Sequence, residues 1–145
     1  MAFNKDTDWV AFDLDGTLAH YTPGDYVTKG PFIFGDPIPG NVNLAKALIA
    51  AGVRCKIMTA RYQSGRDNYQ NSETGFNVAL QIAINDWTKK HIGTELEVTN
   101  AKDGYMHVLI DDRAVGTETN SGVLNGGAIE RLMALLKTDS IGDEQ

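Results

Sequence analysis

The chain has 145 residues, of which 42% are hydrophobic and 22% charged, and a formal net charge of −6. This length is enough to bury a sizeable core, so we expect one domain over residues 1–145 that folds without a disulfide or a structural metal. No apolar run is long enough to span a membrane, and the polar residues 4–6 argue against a signal peptide. The acidic balance excludes a surface that coats nucleic acid, and a single cysteine, Cys55, fits a soluble, cytoplasmic protein.

The first predicted element is a buried strand over Trp9–Phe12, which ends abruptly in a polar turn. Asp13 and Asp15 follow it, and the flexible Gly16 behind them lets both carboxylates face one site while backbone N–H groups approach an anion. Turns rich in Asp and Gly are also common loop punctuation, so the pair alone does not decide between the two interpretations. If it is functional, the arrangement suits a divalent cation and a phosphoryl group.

The next segment, about residues 20–39, contains all four prolines of the chain and three of its glycines. This composition excludes a long helix but allows a short hairpin, with Val27 near one arm and residues 32–34 on the other. We expect the segment to fold as a small flap over the mouth of the site. Its aromatic side chains would form either the core of the flap or a stacking surface for substrate.

A helix is predicted over residues 41–51, with Asn41 as its N-cap and Gly52 after its end. The alternating residues Val53–Met58 then predict a strand that ends at Thr59. A polar loop over about residues 62–75 follows, which composition predicts to be mobile and which lies at the same end of the sheet as the carboxylates.

Two arginines flank the start of this loop. Arginine binds phosphate well through two N–H groups at once, so Arg61 is a candidate for substrate contact, with a solvated loop arginine as the equal alternative. For Arg66 the solvated side chain is the favoured interpretation.

The second half of the chain begins with a helix over residues 76–91, predicted from apolar residues at three- and four-residue steps. A short strand over residues 96–99 and a buried strand over Met106–Ile110 follow, and the latter ends in Asp111 and Asp112. If the strand over residues 106–110 lies parallel beside Trp9–Phe12, four carboxylates share one crevice, where they would repel each other unless a cation neutralises them. The pattern therefore implies a bound metal. A final helix is predicted from Ile129.

The order of a hydrophobic strand, Asp, apolar, Asp, Gly, Thr, apolar over residues 9–18 resembles motif one of the haloacid dehalogenase (HAD) superfamily, most of whose members are magnesium-dependent phosphatases. Thr59 after the second strand resembles motif two, and Asp111 with Asp112 resembles motif four. Lys102 is the best match for the motif-three lysine, although only nine positions separate it from Asp111. Lys89 and Lys90 are the alternatives. The resemblance covers residues 9 to about 113.

The resemblance implies a three-layer α/β/α Rossmann-like fold with a central parallel sheet, a small flap and no large cap domain. It implies that Asp13 is a nucleophile that forms an aspartyl-phosphate, and that Asp15 is the general acid and base. Mg²⁺ would be held by Asp13, the backbone carbonyl of Asp15, Asp111 and Asp112, the last as a ligand or an orienting neighbour. The groups expected around the phosphoryl oxygens are Thr59, Lys102, the Gly16 N–H and Arg61.

The run Thr59-Ala60-Arg61, together with residues 110–113, also resembles the phosphatase half of polynucleotide kinase/phosphatases. The small size and the Asp-Asp-Arg-Ala run are similar to small HAD proteins of bacteriophages. The expected substrate is therefore a nucleotide or a polynucleotide 3′-phosphate end, and the oligomeric state, monomer or homodimer, stays open.

Two alternatives belong to other functional classes. One is a catalytically silent HAD fold that serves as a binding protein, although both Asp13 and Asp15 are present. The other is a phosphorylation-receiver module, which gathers acidic residues, a threonine and a lysine around magnesium. A receiver carries its phosphorylated aspartate on a middle strand, whereas here the first strand ends in the pair.

Overall fold

The structure, a computed structural model, describes residues 2–63 and 72–144, with the side chains of 72–74 and 138–144 left out. The chain forms two compact units, Met1–Ile110 and Asp111–Gln145. The single domain expected from the length of the chain stays a prediction.

The first unit is an α/β structure built on a parallel four-stranded sheet, as predicted. Its strands are β1 (Trp9–Phe12), β2 (Arg54–Met58), β3 (Glu97–Thr99) and β4 (Met106–Ile110). The strand order is β3-β2-β1-β4, so β1 lies between β2 and β4. In the register of the ladders, Phe12 pairs with Ile57 on one side and with Ile110 on the other. The carboxyl ends of these three strands therefore meet at one edge of the sheet.

Burial along the strands follows from this order. All four residues of β1 are buried, because the strand has a neighbour on each side and side chains packed on both faces. On β2 the alternation predicted from sequence is confirmed, with Cys55 and Ile57 buried. The strand β4 has the predicted bounds, but the prediction that it is buried is wrong: within the described residues it pairs only with β1, and His107 and Val108 are exposed. It is an edge strand.

In the described part of the first unit there are three helices: α1 (Asp25–Lys29), α2 (Pro39–Ala50) and α3 (Ser72–His91). The prediction that Asn41 caps α2 is wrong, because the helix begins at Pro39, whose fixed φ suits a first helical position. The Asn41 side chain instead donates a hydrogen bond to the Thr17 carbonyl at 2.9 Å. The helix α2 contacts β2, and α3 contacts β3 while burying Leu80, Ile84 and Trp87. Helices therefore flank the sheet.

Residues 20–38, the flap segment, end where α2 begins. The hairpin predicted here is wrong: the segment contains the short helix α1 and no strand. Val27, predicted near a strand arm, lies on α1 and is 85% exposed, so α1 has no apolar face that a sheet could use. Gly24 and Gly30 flank α1 with φ of 98° and 93°, a left-handed conformation that ends regular structure on both sides.

The second unit contains a two-stranded antiparallel pair and a helix. The strands β5 (Gly116–Thr117) and β6 (Leu124–Asn125) were not predicted, because their residues read as a polar, glycine-rich stretch. The helix α4 (Ile129–Glu144) begins where it was predicted. No helix in the described ranges is long and apolar enough to cross a membrane.

Candidate functional site

Asp13 directly follows the central strand. Its backbone N–H donates to the Ile110 carbonyl at 2.9 Å, which extends the ladder between β1 and β4 by one bond. Its carboxylate is half-buried and accepts a hydrogen bond from the buried Thr17 hydroxyl at 3.4 Å. The edge of the sheet therefore fixes the backbone that carries this carboxylate.

Asp111 and Asp112 directly follow β4 and open the second unit. Asp111 Oδ1 accepts the Arg113 N–H at 2.8 Å, and the Asp112 carbonyl accepts a hydrogen bond from the Arg131 guanidinium. Ile110, the residue before Asp111, pairs with Phe12, the residue before Asp13. The prediction that two neighbouring parallel strands both end in acidic residues is confirmed.

Asp15 is bound by an arginine that lies 46 positions away. Arg61 Nε donates to Asp15 Oδ2 at 2.7 Å and Nη2 donates to Oδ1 at 2.9 Å, so the pair has the parallel two-bond geometry that is strongest for these groups. The Arg61 side chain is only 4% exposed and that of Asp15 20%. The two bonds thus fix the orientation of the Asp15 carboxyl group at the turn after β1.

The rest of the Arg61 guanidinium contacts the flap segment. Its Nη1 donates to the carbonyls of Pro31 at 2.8 Å and Ile33 at 3.3 Å, and the rings of Tyr26 and Phe34 lie 5.2 and 4.8 Å from its Cζ. Four of its five N–H groups are therefore bonded. The predicted phosphate contact of Arg61 stays a prediction, and the ion pair with Asp15 is a feature that sequence reasoning missed.

Thr59 directly follows β2, as predicted, and the sheet order places β2 next to β1. Its backbone N–H donates to the Thr99 carbonyl at 3.0 Å, and its Oγ1 accepts the Arg61 N–H at 3.1 Å. The side chain is 2% exposed, and within the described residues its O–H has no acceptor. Thr59 therefore offers a positioned donor at the same edge of the sheet as Asp13 and Asp15.

In the turns after β1 and β2, the backbone N–H groups that lack an acceptor are not the one that was predicted. The Gly16 N–H, predicted to face a phosphoryl oxygen, donates to the Ala19 carbonyl at 2.8 Å, in a turn where Gly16 has φ 85°. The N–H groups of Asp15 and Ala60, by contrast, have no acceptor in the part of the chain that the structure describes. Residue type says nothing about a free backbone donor, which is why the sequence did not reveal them.

Lys102 lies in the connection between β3 and β4, which contains no helix, in accordance with its short length. The side chain is exposed, and the next residue, Asp103, accepts the Trp9 indole N–H at 3.0 Å, at the opposite end of β1 from Asp13. Lys89 and Lys90 are exposed in the last turn of α3. Among the described residues, none of the three lysines forms an ion pair, and the motif-three role of Lys102 stays a prediction.

The loop predicted over residues 62–75 is described only at its ends. Tyr62 and Gln63 are irregular, and the Gln63 N–H donates to Asn77 Oδ1 at 2.9 Å. The loop prediction is wrong for residues 72–75, which belong to α3. Arg66 lies outside the described residues.

Cys55 does not supply a nucleophile to this site. Cys55 points into the core from β2, and burial raises the pKa of its thiol to about 11. A thiol with such a pKa is almost fully protonated at neutral pH and is a poor nucleophile. Cys55 therefore serves as a small buried residue of the core.

The chain matches no protein-family model and no curated protein. The chemistry available at the site comes from the carboxyl groups of Asp13 and Asp15, the Thr59 hydroxyl group and the Arg61 ion pair.

Proposed function

We propose that the protein is a magnesium-dependent phosphomonoester hydrolase of the HAD type, with a three-layer α/β/α arrangement, a small flap and no large cap domain. The observation that carries this proposal is the end of the central strand. There Asp13 directly follows β1, the carboxyl group of Asp15 is bound by the buried Arg61 side chain, and Thr59 directly follows the neighbouring strand β2. A nucleophile, a proton donor and a phosphoryl-oxygen donor are the groups that phosphoryl transfer through an enzyme intermediate requires.

In this proposal Asp13, Asp111 and Asp112 hold one Mg²⁺. Each carries a carboxylate, and Asp13 and Asp111 directly follow the neighbouring strands β1 and β4 in the chain. A set of oxygen donors without sulfur or imidazole fits a hard divalent cation. When bound, Mg²⁺ would offset the negative charge of the carboxylates and of the phosphoryl group.

The chemistry then assigns one task to each residue. The Asp13 carboxylate attacks phosphorus, the bond to the leaving oxygen breaks, and the Asp15 carboxylic acid gives that oxygen its proton. Asp15, now a carboxylate, takes a proton from the water that attacks the aspartyl-phosphate, and phosphate leaves. The Thr59 hydroxyl, the free N–H groups of Asp15 and Ala60, and Lys102 bind the phosphoryl oxygens.

The proposed substrate is a nucleotide or a polynucleotide with a 3′-phosphate end. Support comes from the flap segment, which exposes aromatic side chains: Tyr21 is 38% and Phe32 37% exposed. Such rings stack on bases irrespective of sequence. A pocket can bind one phosphorylated end although the chain as a whole is acidic.

The test is phosphate release from an aryl phosphate with Mg²⁺, with and without a chelator. Asp13→Asn should lower kcat by about a thousandfold or more because the nucleophile is lost. Asp86→Asn, an exposed change on α3, is the control and should leave kcat unchanged. Full activity of purified Asp13→Asn would overturn the proposal.

A second measurement identifies the substrate class. The wild-type protein is compared on 3′-phosphorylated oligonucleotides, 5′-phosphorylated oligonucleotides, mononucleotides and sugar phosphates. We expect kcat/KM for 3′-phosphorylated or mononucleotide substrates to exceed that for sugar phosphates by about a hundredfold, since this ratio measures differential transition-state binding. A preference for sugar phosphates would contradict the assignment.

A further inference from the structure

We propose that Arg61 is a positioning residue that fixes the carboxyl group of Asp15 and ties the flap segment to it, so that the orientation of Asp15 and the closure of the flap segment depend on one side chain. The part that concerns Asp15 as a proton donor rests on the proposed function. The tie between Arg61 and the flap segment does not.

The first step is the geometry at Asp15. Two parallel N–H···O bonds of 2.7 and 2.9 Å fix both the position and the plane of the carboxyl group, which a single bond would leave free to rotate. The backbone N–H of Arg61 also donates to Thr59 Oγ1, and this bond fixes the turn from which the Arg61 side chain extends. The orientation of Asp15 is thus set by β2, the neighbouring strand.

The second step is the attachment of the flap segment. Its ends are held by backbone bonds, from His20 N–H to Asp36 O at 2.8 Å and from Ile38 N–H to Leu18 O at 2.8 Å. Between these ends the segment has no strand, and Arg61 binds the carbonyls of Pro31 and Ile33.

Other contacts of the flap segment come from α3. The Trp87 indole N–H donates to the Gly35 carbonyl at 3.0 Å, and the rings of Phe32 and Phe76 lie 5.3 Å apart. Arg61 is the residue through which the flap segment is bonded to Asp15. Movement of Pro31 and Ile33 away from the site would therefore leave a buried guanidinium with unsatisfied N–H groups, which is costly.

The bonds of the Arg61 side chain distinguish this role from phosphate binding. Arginine binds a phosphate through two N–H groups at once, but within the described residues only one N–H of the Arg61 guanidinium is without a bond. To grip phosphate in this way, Arg61 would have to release Asp15 or the flap segment. Its burial between Asp15 and the Tyr26 and Phe34 rings fits a fixed guanidinium.

The first arm of the test is hydrogen exchange, which needs no substrate. Arg61→Ala should accelerate exchange of the amides in residues 20–38 by about tenfold, because local opening of the segment becomes easier, while amides of β1 and β2 stay protected. Arg54→Ala, an exposed change on β2, is the matched control. Unchanged exchange in the flap segment would overturn the proposed attachment of this segment by Arg61, whether or not the protein is a phosphatase.

The second arm compares an alkyl and an aryl phosphate. An alkyl leaving oxygen needs a proton from Asp15, whereas a nitrophenolate leaves without one. Arg61→Ala should lower kcat/KM by about a hundredfold for the alkyl ester but less than about tenfold for the aryl ester. Because kcat/KM reports the steps up to formation of the aspartyl-phosphate, later hydrolysis does not obscure the comparison.

Inhibition by inorganic phosphate separates the two roles of Arg61. The inhibition constant should change by less than about threefold in Arg61→Ala, since the lost bonds do not reach phosphate. An increase above tenfold, or equal losses on both esters, would overturn the positioning role.

Arg61→Lys, which keeps the charge without the two-bond geometry, should show an intermediate loss on the alkyl ester. It is also the variant to use if circular dichroism shows that Arg61→Ala does not fold. If the wild-type protein hydrolyses neither ester, the proposed function fails, and the exchange arm decides the tie on its own.

Discussion

The indole N–H of Trp9 donates to the carboxylate of Asp103 at 3.0 Å and thereby links the first residue of β1 to the connection between β3 and β4. Asp103 also accepts the Tyr105 N–H at 2.8 Å, and Tyr105 in turn accepts the Trp9 N–H at 3.0 Å. This connection contains no helix and runs from β3, the outer strand on one side of the sheet, to β4, the outer strand on the other side. These three bonds fix where it ends and where β4 begins.

The first prediction concerns the acid stability that follows from this link. Hydrogen bonds from the Tyr105 N–H and then from Trp9 lower the pKa of Asp103 below its ordinary value. A carboxyl group with a lowered pKa in the folded state stabilises that state above its ordinary pKa, and this contribution is lost as the pH falls through the lowered pKa. Asp103→Asn should therefore lower Tm at neutral pH, and its difference from wild type should shrink as the pH falls below the ordinary aspartate pKa of about 4.

Thermal unfolding across this pH range measures the effect. Asp6→Asn, at an exposed position near the start of the chain, is the control and should leave the curve of Tm against pH unchanged. A Tm difference between wild type and Asp103→Asn that is the same at neutral and acid pH would contradict the prediction.

The second prediction uses a matched pair of glycines. A Cβ on Gly35 would fall on the backbone carbonyl oxygen of His20, whereas a Cβ on Gly40, in the first turn of α2, would meet nothing within 4 Å. Gly35→Ala should therefore displace the flap segment and lower stability by about 1–3 kcal/mol, while Gly40→Ala should raise stability by up to about 1 kcal/mol. Chemical denaturation of both variants gives the comparison, and equal effects at the two positions would contradict it.

The third prediction concerns Thr59. Thr59→Val keeps the shape of the side chain but removes the O–H that faces no acceptor among the described residues and the Oγ1 that accepts the Arg61 N–H. We expect kcat/KM for an aryl phosphate to fall by about a hundredfold, the usual cost of removing one donor to a developing negative charge. Thr59→Ser should retain most of the activity. Similar losses in the two variants would show that packing, and not the hydroxyl group, is what matters.

The fourth prediction concerns the thiol. With its pKa raised to about 11 by burial, Cys55 should not react with a thiol-specific disulfide reagent at about pH 8 in the native protein, and should react fully in denaturant. The change in absorbance that accompanies the reaction counts the accessible thiols. Rapid labelling of the native protein would mean that β2 opens readily.

The sequence predicted best those elements whose signal is local. The buried run Trp9–Phe12 and the alternation around Cys55 and Ile57 depend on neighbouring residues, and both strands lie where they were expected. That β4 is an edge strand depends on the order of the sheet, and five apolar residues do not reveal it. The prediction of a hairpin in the flap segment was wrong because prolines and glycines exclude a long helix without specifying which short elements form instead.

The same division applies to the site. Residue type and position after a strand were enough to bring Asp13 and Thr59 to one edge of the sheet. The pairing of Asp15 with Arg61 was missed, because it joins residues 46 positions apart and depends on how the turn after β2 and the flap segment fold together. The role of Lys102 at the phosphoryl group stays a prediction, because it depends on where a long, exposed side chain extends from the connection between β3 and β4.

The central position of β1 has a consequence for how this protein can vary. The strand that fills the middle of the sheet is also the one whose end carries Asp13, so a replacement at Ala11 or Phe12, both fully buried, would disturb folding and chemistry together. A replacement at Val27, which is almost fully exposed on α1, would disturb neither folding nor chemistry. In a library of random variants selected for function, we therefore expect the fewest accepted substitutions in β1 and many at Val27.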